Sequence, residues 1–140
     1  MDSIPDDAMI AQQVIRENRI LSEKIAAALD CQEEDAAKSL REVLRFLYLV
    51  ANHDAGMLTP SHRVDLAWHE FILCTRVYRD ICNSLFGRYI DHHPGGSKES
   101  NLRQYQATLR FYQATYGLPD PAFWSSAQYT DSSCGGCEAV

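Results

Sequence analysis

Four stretches of this chain repeat apolar residues at spacings of three and four, and turn-forming residues separate them. A helix turning every 3.6 residues gathers such positions onto one face, whereas a strand alternates every second residue, so the pattern predicts helices. The first stretch, 6–29, carries Ile10, Val14, Leu21, Ile25 and Ala28 without glycine or proline. Asp30, with Glu33 three residues later, makes a capping-box pattern opening a second helix that runs to about Asn52. Leu40, Val43, Leu44, Leu47 and Val50 form its buried stripe. After Gly56, Thr59 or Ser61 can cap a third helix over roughly 61–86, with Pro60 suited to a first helical position. This third helix is the most apolar and stops at Gly87. Residues 90–97 read as a loop, because Pro94, Gly95 and Gly96 break regular structure. A fourth helix follows over roughly 98–116, ended by Gly117 and Pro119, and Phe123 with Trp124 reads as a short hydrophobic plug. The expected architecture is all-α: one four-to-five-helix, bundle-like domain over 1–125, with a flexible Cys/Gly-containing tail over 126–140.

A chain of 140 residues can bury a core without disulfides or metals. Its net charge of −6 argues against nucleic acid as a partner, because phosphate binding needs a basic surface. No apolar run reaches the roughly 18–20 residues that span a bilayer, so membrane insertion is not expected. The acidic start, Met1-Asp2-Ser3-Ile4-Pro5-Asp6-Asp7, lacks the basic and then apolar order of a secretory signal, which predicts a cytoplasmic protein. Cys31, Cys74, Cys82, Cys134 and Cys137 are odd in number and follow no disulfide framework, so free thiols are expected. Cys134-Gly135-Gly136-Cys137 is a lone CxxC, which reads as an inert tail, half a metal site or a redox pair.

Chemistry concentrates on the third helix. On a wheel of ~100° per residue, His62, Asp65, His69, Arg76, Asp80 and Asn83 fall within about 60° of one another. A solvated polar stripe explains that grouping, and so does a site. Asp65 and His69 are four apart, so the carboxylate can orient the imidazole and leave its other nitrogen for a metal or a proton. His62 lies about a turn earlier, and His92 or His93 can reach back from the following loop. Between those two, the sequence slightly favours His93. A tentative ligand set is therefore His62, Asp65, His69 and His93, suited to zinc or another first-row transition metal. His69-Glu70 has no second histidine at the metalloprotease spacing. Trp68 beside the stripe reads as core, with its indole N–H seeking a partner at the boundary. A cysteine nucleophile paired with a histidine is a lesser reading.

Val64-Asp65-Leu66-Ala67-Trp68-His69-Glu70-Phe71-Ile72-Leu73, followed by Thr75, Tyr78, Cys82, Phe86-Gly87 and His92-His93-Pro94, resembles the glycine-rich domain-containing protein-like family, as a short bacterial-type member. Pro60, Tyr105, Tyr112, Gly117, Pro119 and Trp124 extend the resemblance, which has a core of about 44–124 and is strongest over 57–94. It implies no established catalytic residue, and it suggests association with RNA. Short relatives carry Trp-His-x-His, and this chain has Phe71 at the second histidine position.

The resulting expectation is a helical protein-interaction or scaffold module with a candidate polar site at Asp65, Trp68, His69, His92 and His93. The alternatives are a metal-binding protein or metalloenzyme, using His69 with Asp65 and His92 or His93, and an RNA-associated protein.

Overall fold

The computed structural model describes residues 3–53, 56–125 and 137–139. Among them are six α-helices, as the all-α expectation requires: α1 (Asp7–Glu17), α2 (Arg19–Leu29), α3 (Ala36–Asn52), α4 (His62–Leu73), α5 (Thr75–Ile81) and α6 (Lys98–Tyr116). No helix among the described residues is long and apolar enough to cross a membrane.

Three expected helices change form for local reasons. The run 6–29 divides at Asn18, whose side-chain amide donates to the Val14 carbonyl (2.9 Å) and so competes with the helical backbone bond. Asp30 is not a helix start. It sits in the left-handed region (φ 53°) and ends α2, while Glu33–Asp35 make a 3₁₀ turn leading into α3. The third helix breaks at Cys74, where the last turn of α4 closes with a bond from Cys74 N–H to the Phe71 carbonyl three residues back (3.0 Å). It resumes as α5 and a π-helical turn, Cys82–Phe86, that ends at Gly87 with φ 75°. Ser61, one of the two expected caps, accepts from Val64 N–H (3.1 Å), and Pro60 lies just before that cap rather than inside the helix. The fourth helix keeps its expected bounds, with Ser97 and Ser100 bonding reciprocally at its start.

α3 is the central rod. It packs against α1, α2, α4 and α6, and buries Leu40, Val43, Phe46, Leu47 and Leu49 completely. A polar network runs through its flank. Asp7 of α1 receives Arg41 Nε (2.7 Å) and Arg45 Nε (3.0 Å), while Arg45 also donates to Tyr112 Oη (2.8 Å). The buried carboxylate of Glu42 accepts from Tyr112 Oη–H and from Trp124 Nε1–H (2.8 Å). A buried charge persists only when its lone pairs are filled in this way. Trp124 is thus the plug that the sequence suggested, fixed at its polar edge as well as by packing.

The expected loop contains a short strand, β1 (His92–Pro94), which pairs antiparallel with β2 (Cys137–Ala139) in the register His92 to Ala139, His93 to Glu138 and Pro94 to Cys137. Ala139 also exchanges backbone bonds with Leu58, donating to its carbonyl (2.8 Å) and accepting from its N–H (3.1 Å). The tail expected over 126–140 falls on 126–136 and Val140, outside the described residues, except for this ordered piece at Cys137–Ala139.

Candidate metal centre

The site begins with a tie that brings the segment after α5 back over α4. Trp68 and Tyr78 are ten residues apart, which in one straight helix means about 15 Å along the axis. The break at Cys74 removes that separation. Trp68 Nε1–H donates to Tyr78 Oη (3.1 Å), and Tyr78 Oη–H donates to the Ile90 carbonyl (2.7 Å). All three residues are buried, and burial pushes the Tyr78 phenol far above its ordinary range, so it stays a donor. Held at Ile90, the chain enters β1 two residues later. His92 then lies edge-on to the Trp68 ring, with centroids 4.4 Å apart.

Asp65, His69 and His92 converge there. Their candidate donor atoms all lie within 4.8 Å of one another, and among the described residues they are the one such group of histidine, cysteine and carboxylate side chains. His92 Nε2 and His69 Nδ1 each lie 3.5 Å from Asp65 Oδ1, and the two imidazole centroids are 4.3 Å apart. The carboxylate side chain is 7% exposed, His92 15% and His69 45%, so the cluster runs from the core to the surface. His69 Nδ1 is also 2.6 Å from the Asp65 backbone carbonyl. Two lone pairs would repel at that distance, so Nδ1 carries the proton and His69 presents Nε2 as its basic nitrogen. His92 Nε2 is buried without a hydrogen-bond partner. Burial, and then the neighbouring His69, hold the His92 imidazole below its ordinary pKa against the pull of Asp65, which keeps it neutral and able to donate a lone pair.

Of the four tentative ligands, the structure brings Asp65 and His69 together, joined by His92, and leaves His62 and His93 out of that group. His93 is not in the cluster, because successive residues of a strand face opposite sides and His92 takes the inward position. His62 is also outside it. It occupies the first position of α4, where side chains lean off the N-terminal end, and it is exposed. Trp68 serves as a wall and as an anchor of the tie rather than as a polar contact to the three donors. Cys134 lies outside the described residues, and Cys137 opens β2 opposite Pro94. Cys31, Cys74 and Cys82 are free, and burial raises all three thiols, which removes the basis for an activated cysteine nucleophile among them.

Sequence reasoning missed Tyr78 and Ala139 as supporting residues. Tyr78 had no visible link to Trp68, since neither glycine nor proline announces the break at Cys74. Ala139 sits in a tail whose composition signals no strand.

Fold and site together define a small helical protein with a two-histidine, one-carboxylate cluster. Residues 8–116 match the UCP032817-like family, and the chain belongs to it. This overturns the resemblance to the glycine-rich domain-containing protein-like family, to which no finding points. Two residues behind that resemblance, Trp68 and Tyr78, make the bonds that turn this chain back over α4. No curated protein and no solved structure matches the chain.

Proposed function

We propose that this is a metal-binding protein whose Asp65, His69 and His92 hold a divalent first-row transition ion, zinc being the best fit. The observation that carries this reading is the convergence of three donors from α4 and β1, one of them a buried, neutral imidazole nitrogen with no hydrogen-bond partner. Zinc bonds of about 2.0–2.1 Å at tetrahedral angles place neighbouring donors roughly 3.4 Å apart. The 3.5 Å from His92 Nε2 to Asp65 Oδ1 suits that spacing and exceeds a normal N–H···O bond of about 2.7–3.2 Å. The bond from His69 Nδ1 to a backbone carbonyl is the kind of support that orients a ligating imidazole. Three protein ligands leave a coordination position for water or a small ligand, and the half-exposed His69 puts that position at the surface.

We also place the protein in a reducing compartment, the cytoplasm, supported by the free thiols of Cys31, Cys74 and Cys82 among the described residues. A protein-interaction role draws on no feature of this site, and an RNA role runs against the net charge of −6.

The test is zinc titration by chelator competition in a Cys134→Ser/Cys137→Ser background, which removes the tail thiols as ligands. One equivalent should bind. His92→Ala and Asp65→Asn should each weaken binding by about 10–100-fold or more, judged by the effect of losing even an outer-shell partner, and His93→Ala should leave it within about twofold. Equal effects of His92→Ala and His93→Ala, or no bound equivalent in the parent, would overturn the proposal.

A further inference from the structure

We infer that the C-terminal strand is a strap that completes the metal centre, so that docking of Cys137–Ala139 and metal binding strengthen each other. The inference rests on the metal-binding reading and adds a regulatory element to it. β2 lies in a slot between Leu58 and β1 and pairs with both.

The ladder geometry ties this strap to one ligand. In an antiparallel strand, the N–H and C=O of a residue point to the same side. Both backbone groups of Ala139 are bonded to Leu58, so its pairing with His92 on the other side is of the non-hydrogen-bonded type. Such pairs bring the two Cα atoms to about 4.5 Å, closer than hydrogen-bonded pairs, and place the side chains on the same face. The Ala139 methyl group therefore packs beside the His92 imidazole on the inward face, and Ala139 is fully buried. Only a small side chain fits between Leu58, itself buried, and a histidine that must aim at Asp65.

The consequence is energetic coupling. β1 has three residues, too few to hold a fixed pleat alone, and its near end is already anchored by the Tyr78 bond to Ile90. With the strap docked, His92 is held on the Asp65 side of the strand and His93 on the opposite side. With the strap released, His92 must be ordered when metal binds, which lowers apparent affinity. Linkage then requires the reciprocal effect, in which bound metal holds the strap by the same factor.

The experiment uses the full chain in the Cys134→Ser/Cys137→Ser background. Ala139→Pro deletes the N–H that donates to Leu58, and Ala139→Arg cannot fit the slot. Both changes lie outside the helices. Zinc affinity by chelator competition should fall about tenfold in each, within the ~5–150-fold range usual for coupling between sites. In the parent chain, saturating zinc should slow hydrogen exchange of the C-terminal peptide by the same factor, and it should not do so in His92→Ala. Zinc binding within twofold of the parent in both Ala139 variants overturns the strap while leaving the metal centre standing. Absence of zinc binding in the parent overturns both, and that result is read without any variant.

Discussion

Replacing Tyr78 with phenylalanine removes one oxygen from the interior and leaves two buried groups without a partner. These are the Trp68 indole N–H, 3.1 Å from that oxygen, and the Ile90 carbonyl, 2.7 Å from it. Both residues are fully buried, so water cannot take over without opening the structure. An unsatisfied buried donor or acceptor costs about 1–3 kcal/mol, so Tyr78→Phe should destabilise the protein by about 2–4 kcal/mol. Ring packing is retained, because the Phe71 and Tyr89 rings stand perpendicular to the Tyr78 ring, which phenylalanine keeps. Urea unfolding followed by far-UV circular dichroism measures the change, with the slope checked for constancy so that the midpoint shift reports stability. The variant should also bind zinc more weakly, since Ile90 sets where β1 begins. A loss under about 0.5 kcal/mol, the ordinary scatter of neutral substitutions, would refute the claim that this hydroxyl holds the segment over α4.

Glu42→Ala should cost about 3–5 kcal/mol, because it strands the Tyr112 hydroxyl and the Trp124 N–H in the interior; Glu42→Gln, which can still accept both bonds, should cost clearly less. Equal losses in urea unfolding would show that the negative charge, and not the pair of bonds, is what matters there. A pH effect follows from His92, whose imidazole is held below its ordinary value of 6.5 in the folded state. The unfolded chain then takes up the proton more readily, so stability of the metal-free protein is fully present above about pH 6.5 and is lost as pH falls from there to the lowered value of His92. Urea midpoints measured from pH 7.5 down to 5 should show a steeper fall in the parent than in His92→Gln, and identical slopes would contradict that assignment.

What the sequence revealed depended on the range of the interaction involved. α6 was legible to its ends, because Ser97 and Gly117 stop it with local chemistry. The breaks at Asn18 and Cys74 were not, since each depends on a single side chain or carbonyl within an otherwise helical pattern. Asp65 and His69 could be paired from their spacing of four alone. The choice of His92 over His93 could not, because it depends on the pleat of β1, and Ala139 pairs there from the far end of the chain. Tyr78 could not be linked to Trp68 by spacing, because their bond exists only where α4 and α5 are separate rods.

X-ray absorption at the zinc edge of the loaded parent chain, cysteines intact, tests the metal centre most directly. Ligation by Asp65, His69 and His92 requires a shell of nitrogen and oxygen donors at about 2.0–2.2 Å, with the multiple-scattering pattern of two imidazoles and no sulfur. A sulfur shell near about 2.3 Å would move the metal to the cysteines, and one imidazole or none would leave the three converging side chains as packing alone.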